Sequence, residues 1–146
     1  MPVLLGETEK HKEYVYGVHT SLGIIGATEP YPIRSVRDDQ FKLIWNLNHE
    51  ATFENIITEE DRDGLWASWL EEAENDEHAE EMVERYQHRP KIELYDVRED
   101  PHELNNLAEA SQYEPIIERL EAELRAWMEQ QQDEGIQTEL NGLERQ

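Results

Sequence analysis

The chain has 146 residues, 37% of them apolar, and a formal net charge of −22. That length suits one compact domain and is short for two. The acidity argues against nucleic acid or an anionic membrane as partner, since both would repel it, and reads as a strongly solvated surface. The absence of cysteine excludes a disulfide framework, a thiolate metal site and a cysteine nucleophile, and leaves the redox compartment open. No apolar run approaches the roughly 20 residues that a bilayer span needs. The opening segment, Met1 to Gly6, has no basic stretch of the kind a signal peptide carries.

In chain order, residues 1–12 read as a connector. Residues 13–19, rich in aromatic and β-branched side chains, predict a strand. Residues 20–31 hold two glycines and a proline and predict a loop. Two strand-like runs follow, 33–37 and 41–47, separated by Asp38-Asp39-Gln40, which predicts a β-hairpin. Thr58-Glu59-Glu60-Asp61 combines a capping hydroxyl with acids in a first turn, and so predicts a helix start. The apolar stripe of that helix is Leu65, Trp66, Trp69, Leu70 and Ala73. A second helix carries Ala79, Met82, Val83 and Tyr86 at helical spacing and stops before Pro90.

Residues 91–97 predict the last strand. Asp100-Pro101-His102-Glu103 has a capping residue, a proline at the first helical position and a glutamate at the third, which predicts a brief helix. Ser111-Gln112-Tyr113-Glu114 resembles a second capping box and opens the longest helix. Its stripe of Tyr113, Ile116, Ile117, Leu120, Leu124, Trp127 and Met128 follows a period of 3.6. Gly135 is the expected stop, and 136–146 reads as a polar, frayed tail. The fold class is therefore α+β: about four antiparallel strands packed against a long C-terminal helix, with a helical insertion before the last strand. No linker or repeat divides the chain, so a single domain over 13–135 is expected.

The catalytic inventory is thin. Six histidines are present, and none pairs at the spacing of a helical metal site. His78, His88 and His102 read as exposed helix or cap positions. His19 differs, because it ends a strand and opens a glycine-containing loop, where functional side chains often sit. Asp38 and Asp39 suit a turn or a pair of metal ligands, and the turn explains them more simply. The remaining acids read as solvated faces. No phosphate-binding glycine loop and no serine elbow surrounds Ser21, Ser35, Ser68 or Ser111.

The segment 89–128 brings a resemblance. Glu93-Leu94-Tyr95-Asp96, Asp100-Pro101, Glu103, Asn106-Leu107-Ala108 and Trp127 resemble the close of a sulfatase, which runs E-L-Y-D-L-x-x-D-P-x-E-x-x-N-L-A into an amphipathic helix. Tyr31-Pro32-Ile33-Arg34-Ser35-Val36-Arg37, followed by Phe41 to Leu47, is similar to the hairpin of that family. Its Y-P-I-R-S-V-R form resembles the sulfamidase, or heparan N-sulfatase, branch, as do Val83 to Pro90 and Tyr14 to Thr20.

The resemblance implies a sulfatase C-terminal subdomain. Sulfatases use a formylglycine made from C/S-x-P-S-R and a Ca²⁺ ion, both in the larger N-terminal domain. No serine here begins that motif, so this chain is expected to hold no catalytic residue, metal or cofactor. His19, Thr20 and Arg34 are the residues expected to contact substrate, Arg34 alternatively pairing with a neighbouring acid. The implied partners are the catalytic domain and a sulfated saccharide. The first reading is a C-terminal portion of a sulfatase, inert alone, joined to its catalytic domain through the 1–12 connector. The alternative is a standalone binding or oligomerisation module. Val3-Leu4-Leu5 and Leu22 to Ile25 would face the catalytic domain, and left uncovered would favour a homo-oligomer.

Overall fold

The computed structural model describes residues 12–20, 29–58 and 64–143. The element order is β1 (Val15–His19), β2 (Ile33–Arg37), β3 (Phe41–Asn46), α1 (Leu65–Ala73), α2 (Glu77–Gln87), β4 (Ile92–Asp96), α3 (Glu114–Gln130) and α4 (Ile136–Leu143). The strands form one antiparallel sheet in the order β1-β2-β3-β4. This is the α+β architecture expected from the sequence. The chain divides into two compact units.

The first unit takes most of the sheet together with α3, over 1–18, 34–45 and 92–131. Strand alternation sends Val36, Leu43 and Leu94 to one side, and the 3.6 period of α3 sends Leu120, Leu124 and Met128 to meet them. All but Met128 of these six are at 0% exposure. Burying a side chain of this size stabilises by about 1.5–3 kcal/mol, so these residues alone fix which face of α3 points inward. Tyr16 stacks on Trp127 with ring centroids 4.7 Å apart. Arg125 lies over the Trp45 ring at 4.2 Å, closing the edge of the core with a cation–π contact.

Register is pinned at both ends of the sheet unit. In the β2–β3 turn the backbone N–H groups of Gln40 (2.8 Å) and Phe41 (2.7 Å) donate to Asp38 Oδ1. β3 pairs with β4 with Leu43 opposite Leu94 and Trp45 opposite Ile92. The outer edge of β4 is covered: Leu94 N–H donates to Asn106 Oδ1 (2.9 Å), and Leu107 N–H donates to the Leu94 carbonyl (2.8 Å). An exposed edge would otherwise offer those groups to another chain.

The second unit comprises 19–33, 46–91 and 132–146. Its buried centre is Tyr31, Ala51 and Phe53, with Ile33 and Tyr86 packed against it. Phe53 meets Tyr31 edge-on at 5.2 Å and Tyr86 at 5.6 Å, and Arg89 sits 4.6 Å over its face. α2 starts where Asp76 accepts the N–H of Ala79 (2.8 Å), a cap that suits a helix N-terminus.

Five local expectations are corrected. The first helix begins at Leu65 after Gly64. Thr58 instead closes a turn with Asn55, accepting its N–H at 2.9 Å. In α1 only Trp66 is buried, and Leu65, Trp69 and Leu70 of the expected stripe are exposed. Asp100-Pro101-His102-Glu103 is a turn and not a helix. Asp100 accepts the N–H of Asn105 (2.7 Å), and Glu103 adopts a left-handed φ of 56°, which the ion pair of its carboxylate with Lys42 (2.7 Å) holds in place. A single 3-10 turn, Ser111–Tyr113, leads into α3 without a side-chain cap.

The fifth correction concerns the tail. α3 ends at Gln130, with Gln132 left-handed at φ 57°, and Gly135 (φ 69°) opens a further helix where a polar tail was expected. Ile136, Leu140 and Leu143 recur at i, i+4 and i+7, enough periodicity to form one. Met1 to His11 and Leu22 to Ile25, with their expected apolar contacts, lie outside the described residues.

Candidate functional site

His19 is the last residue of β1 and Thr20 follows it directly. His19 is half-buried, its ring 5.8 Å from that of Phe53. Thr20 is exposed, and its hydroxyl donates to Glu139 Oε2 at 2.5 Å. Glu139 projects from α4 and is only 6% exposed. An exposed side chain at the mouth of a loop is therefore tied to a buried acid 119 residues further on. Glu139 lies in the stretch expected to be a polar tail. The spacing of Ile136, Leu140 and Leu143 was the signal that locates it.

His19, Thr20 and Glu139 belong to the second unit, whereas Arg34 belongs to the first. Arg34 is 2% exposed, and strand parity puts it on the side of β2 that also carries Val36. Gly17, two residues before His19, lies against Ser35: a Cβ there would meet Ser35 Oγ at 2.5 Å, so the serine hydroxyl would have to turn away.

His78, His88 and His102 are exposed, and His88 reaches only Glu84, its neighbour one helical turn earlier, at 4.0 Å. Asp38 is committed to its turn and to Arg119, whose guanidinium donates to Asp38 Oδ2 at 2.7 Å. Burial would raise the Asp38 pKa, but the N–H groups of Phe41 and Gln40 and the Arg119 guanidinium together hold it below its usual value. Asp39 pairs with Arg98. Among the described residues no three histidine, aspartate or glutamate side chains gather as a metal cage. The sequence holds no cysteine and no C/S-x-P-S-R.

The residues that carry the sulfatase resemblance are occupied in building the fold. Tyr95 donates its hydroxyl to Glu93 Oε2, and both side chains are buried. Asp96 accepts from Gln40 Nε2 (2.8 Å) and from the backbone N–H of Arg98 (3.1 Å). These bonds, Gln40 first, lower its pKa. Asn106 Oδ1 receives both Leu94 N–H and Ala108 N–H. This motif turns the chain from β4 into α3.

No family model matches the chain. It is 31% identical over 133 residues to an ulvan-active sulfatase of Formosa agariphila, covering 91% of this chain and 24% of that protein. It is 30% identical over 112 residues to the human N-sulphoglucosamine sulphohydrolase, covering 68% of this chain and 20% of the human protein. Among solved structures it superposes on a complex described as holding its substrate D-glucosamine-2-N,6-O-disulfate. The TM-score is 0.52 at 19% identity, over 91% of this chain and 19% of that one. The chain thus spans about a quarter or less of the length of the curated relatives it matches. The antiparallel sheet, the covering helix and these relatives agree: the chain belongs to the sulfatase family and corresponds to the C-terminal subdomain of its members.

Proposed function

We propose that this subdomain completes the substrate pocket of a sulfatase catalytic domain, with His19 and Thr20 at the rim, and that it hydrolyses nothing alone. One observation carries the reading: Thr20 is exposed yet anchored on a buried acid, at the end of a strand whose neighbours build the fold. In this arrangement the catalytic domain brings the formylglycine and the Ca²⁺ ion, and the present residues shape the wall and help choose the sugar. Arg34, buried in the sheet unit, serves the fold in preference to the ligand.

The substrate is a sulfated saccharide. Two relatives support that class by their names, the ulvan-active sulfatase and the N-sulphoglucosamine sulphohydrolase, as does the disulfated glucosamine in the similar solved complex. The Tyr31 to Arg37 hairpin favours a heparan N-sulfatase-like substrate, in which the sulfate leaves from nitrogen. The alternative, a standalone binding module, draws on the exposed Leu65 (50%) and Trp69 (42%) of α1, which suit a contact surface.

The test is turnover of N-sulfoglucosamine and an aryl sulfate, with Ca²⁺ present, by the chain alone and by the chain mixed with a sulfatase catalytic domain. No turnover alone and turnover in the mixture are expected. Genuine hydrolysis by the chain alone would end this reading. Light scattering of the chain alone at high concentration and moderate salt is expected to show a homo-oligomer, because the faces that would meet the catalytic domain are left uncovered; a strict monomer would count against that expectation.

A further inference from the structure

We infer that Arg89 is an anion-binding residue, held on an aromatic platform so that its guanidinium takes a sulfate or carboxylate of the saccharide other than the sulfate that is removed. The ligand class rests on the pocket-wall reading above. Arg98, Arg119 and Arg125 each pair with a carboxylate. Arg89 pairs with no acid among the described residues, in a chain that carries 35 aspartates and glutamates. Its Nε–H reaches the Tyr86 carbonyl at a long 3.4 Å. Its guanidinium carbon lies 4.6 Å from the centre of the Phe53 ring and 5.8 Å from that of Tyr86. Cation–π attraction holds a guanidinium without using a hydrogen-bond acceptor. An arginine presents five N–H donors in a planar fork, so those on its two terminal nitrogens stay available to a ligand. Such a fork matches the paired oxygens of a carboxylate or a sulfate.

The place suits a pocket wall. Arg89, Phe53, Tyr86 and His19 all belong to the second unit. Phe53 is shared ground: the His19 ring lies 5.8 Å from it, and Arg89 sits over its face. The platform is itself braced, because Tyr31 and Tyr86 meet Phe53 edge-on and Asn55 Nδ2 donates to the Tyr86 hydroxyl at 2.9 Å. Arg89 therefore has its position set before a ligand arrives, which lowers the cost of ordering it on binding. It is half-buried, so its charge is screened less than that of a side chain in open water. With a net charge of −22 the chain as a whole repels an anionic saccharide. A cation that no acid neutralises is what such a ligand needs at its point of contact. The sulfate that is removed must reach the catalytic domain, which leaves a second anionic group for Arg89.

The experiment is an NMR titration of this chain alone at low salt. The probes are glucosamine-2-N,6-O-disulfate, glucuronate and the neutral N-acetylglucosamine. At least one of the two anionic probes is expected to bind about tenfold more tightly than N-acetylglucosamine, and the tighter of them identifies the group as sulfate or carboxylate. Arg89→Gln should abolish that preference. Arg89→Lys should weaken anion binding about threefold or more, because an ammonium is a point charge without the fork. Arg37→Gln, which removes an exposed positive charge from the sheet unit, should stay within about twofold of the parent.

Equal affinity of the parent for the charged and neutral probes overturns the inference. So does an Arg89→Gln variant that keeps the preference and loses only melting temperature, since Arg89 would then cap the aromatic cluster and do nothing more. Anion binding in Arg89→Lys as tight as in the parent overturns the fork, and an equal loss in Arg37→Gln reduces the effect to net charge and overturns the site. The pocket-wall reading fails separately: it falls if the mixture with a catalytic domain turns nothing over, whereas binding to the chain alone still decides the role of Arg89.

Discussion

In the sheet unit Val36, Leu43, Leu94, Leu120 and Leu124 are all at 0% exposure, and they touch one another across two regular elements. In the second unit the centre is Tyr31, Ala51 and Phe53, ringed by Tyr86 and Arg89, and three apolar side chains of α1 stand in solvent. The first is an aliphatic core held by strand alternation and helix period. The second is an aromatic cluster held by edge-on contacts between loops and short helices. Regular burial gives rigidity, whereas loop-borne aromatics leave room for a strand end such as His19-Thr20 to face outward. The division of labour follows: one unit holds the fold and the other presents the candidate site.

The largest effect is expected from emptying the aliphatic core. Leu124→Ala should cost about 4 kcal/mol, the transfer free energy of the lost methyls plus the cavity they leave, measured by urea denaturation. Phe53→Ala strikes the aromatic cluster and should cost about 3 kcal/mol, from loss of its contacts with Tyr31, Tyr86 and Arg89. Hydrogen exchange sharpens the comparison. In Phe53→Ala the amides of α2 should lose protection while those of Leu120 to Met128 keep theirs. Equal loss in α3 would mean that the two units unfold as one.

How far the sequence foretold this division depends on regularity. The four strands and α3 were legible because alternation and a 3.6 period repeat often enough to leave one solution, as Tyr113 to Met128 does. The second unit was harder. Thr58 was read as a helix cap and instead serves a turn, because the same hydroxyl suits both. Asp100-Pro101 fits a helix start and a turn equally, and what decided it was Lys42, a residue 61 positions from Glu103. Glu139 was hidden for the same reason: its partner, Thr20, is distant in sequence, and three apolar residues among polar ones mark a helix only faintly. His19 is singled out by its place at a strand end, which is local information.

The turn of the sheet unit offers a smaller, pH-dependent test. Asp38→Asn should cost about 1–2 kcal/mol at neutral pH, through weaker acceptance of two N–H groups and loss of the Arg119 pair. The folded pKa of Asp38 is lowered, so its contribution is present above the ordinary carboxylate range and is lost as pH falls through that range toward the folded value. The parent should therefore lose stability below about pH 4 more steeply than Asp38→Asn does. Tyr16 tests the alkaline side. Burial and its hydrogen bond to Glu123 push its pKa up to about 12. A raised pKa means the contribution is complete below the ordinary tyrosine value of about 10 and is lost as pH rises towards 12. Tyr16→Phe should cost about 1 kcal/mol at neutral pH and remove that alkaline loss.

The smallest effect should come from α1. Trp69 is 42% exposed, touching Trp66 and Tyr86 at ring distances of 5.8 and 6.3 Å. Its neighbour Trp66, at 3% exposure, carries the packing of that helix. Trp69→Gln removes contacts that are already half solvated and leaves no cavity, so stability should change by about 0.5 kcal/mol or less. Trp66→Gln, by contrast, buries an amide among rings and should cost several times more. Equal effects of the two substitutions would mean that α1 is packed as fully as α3, and the contrast between a closed core and an open cluster would not hold.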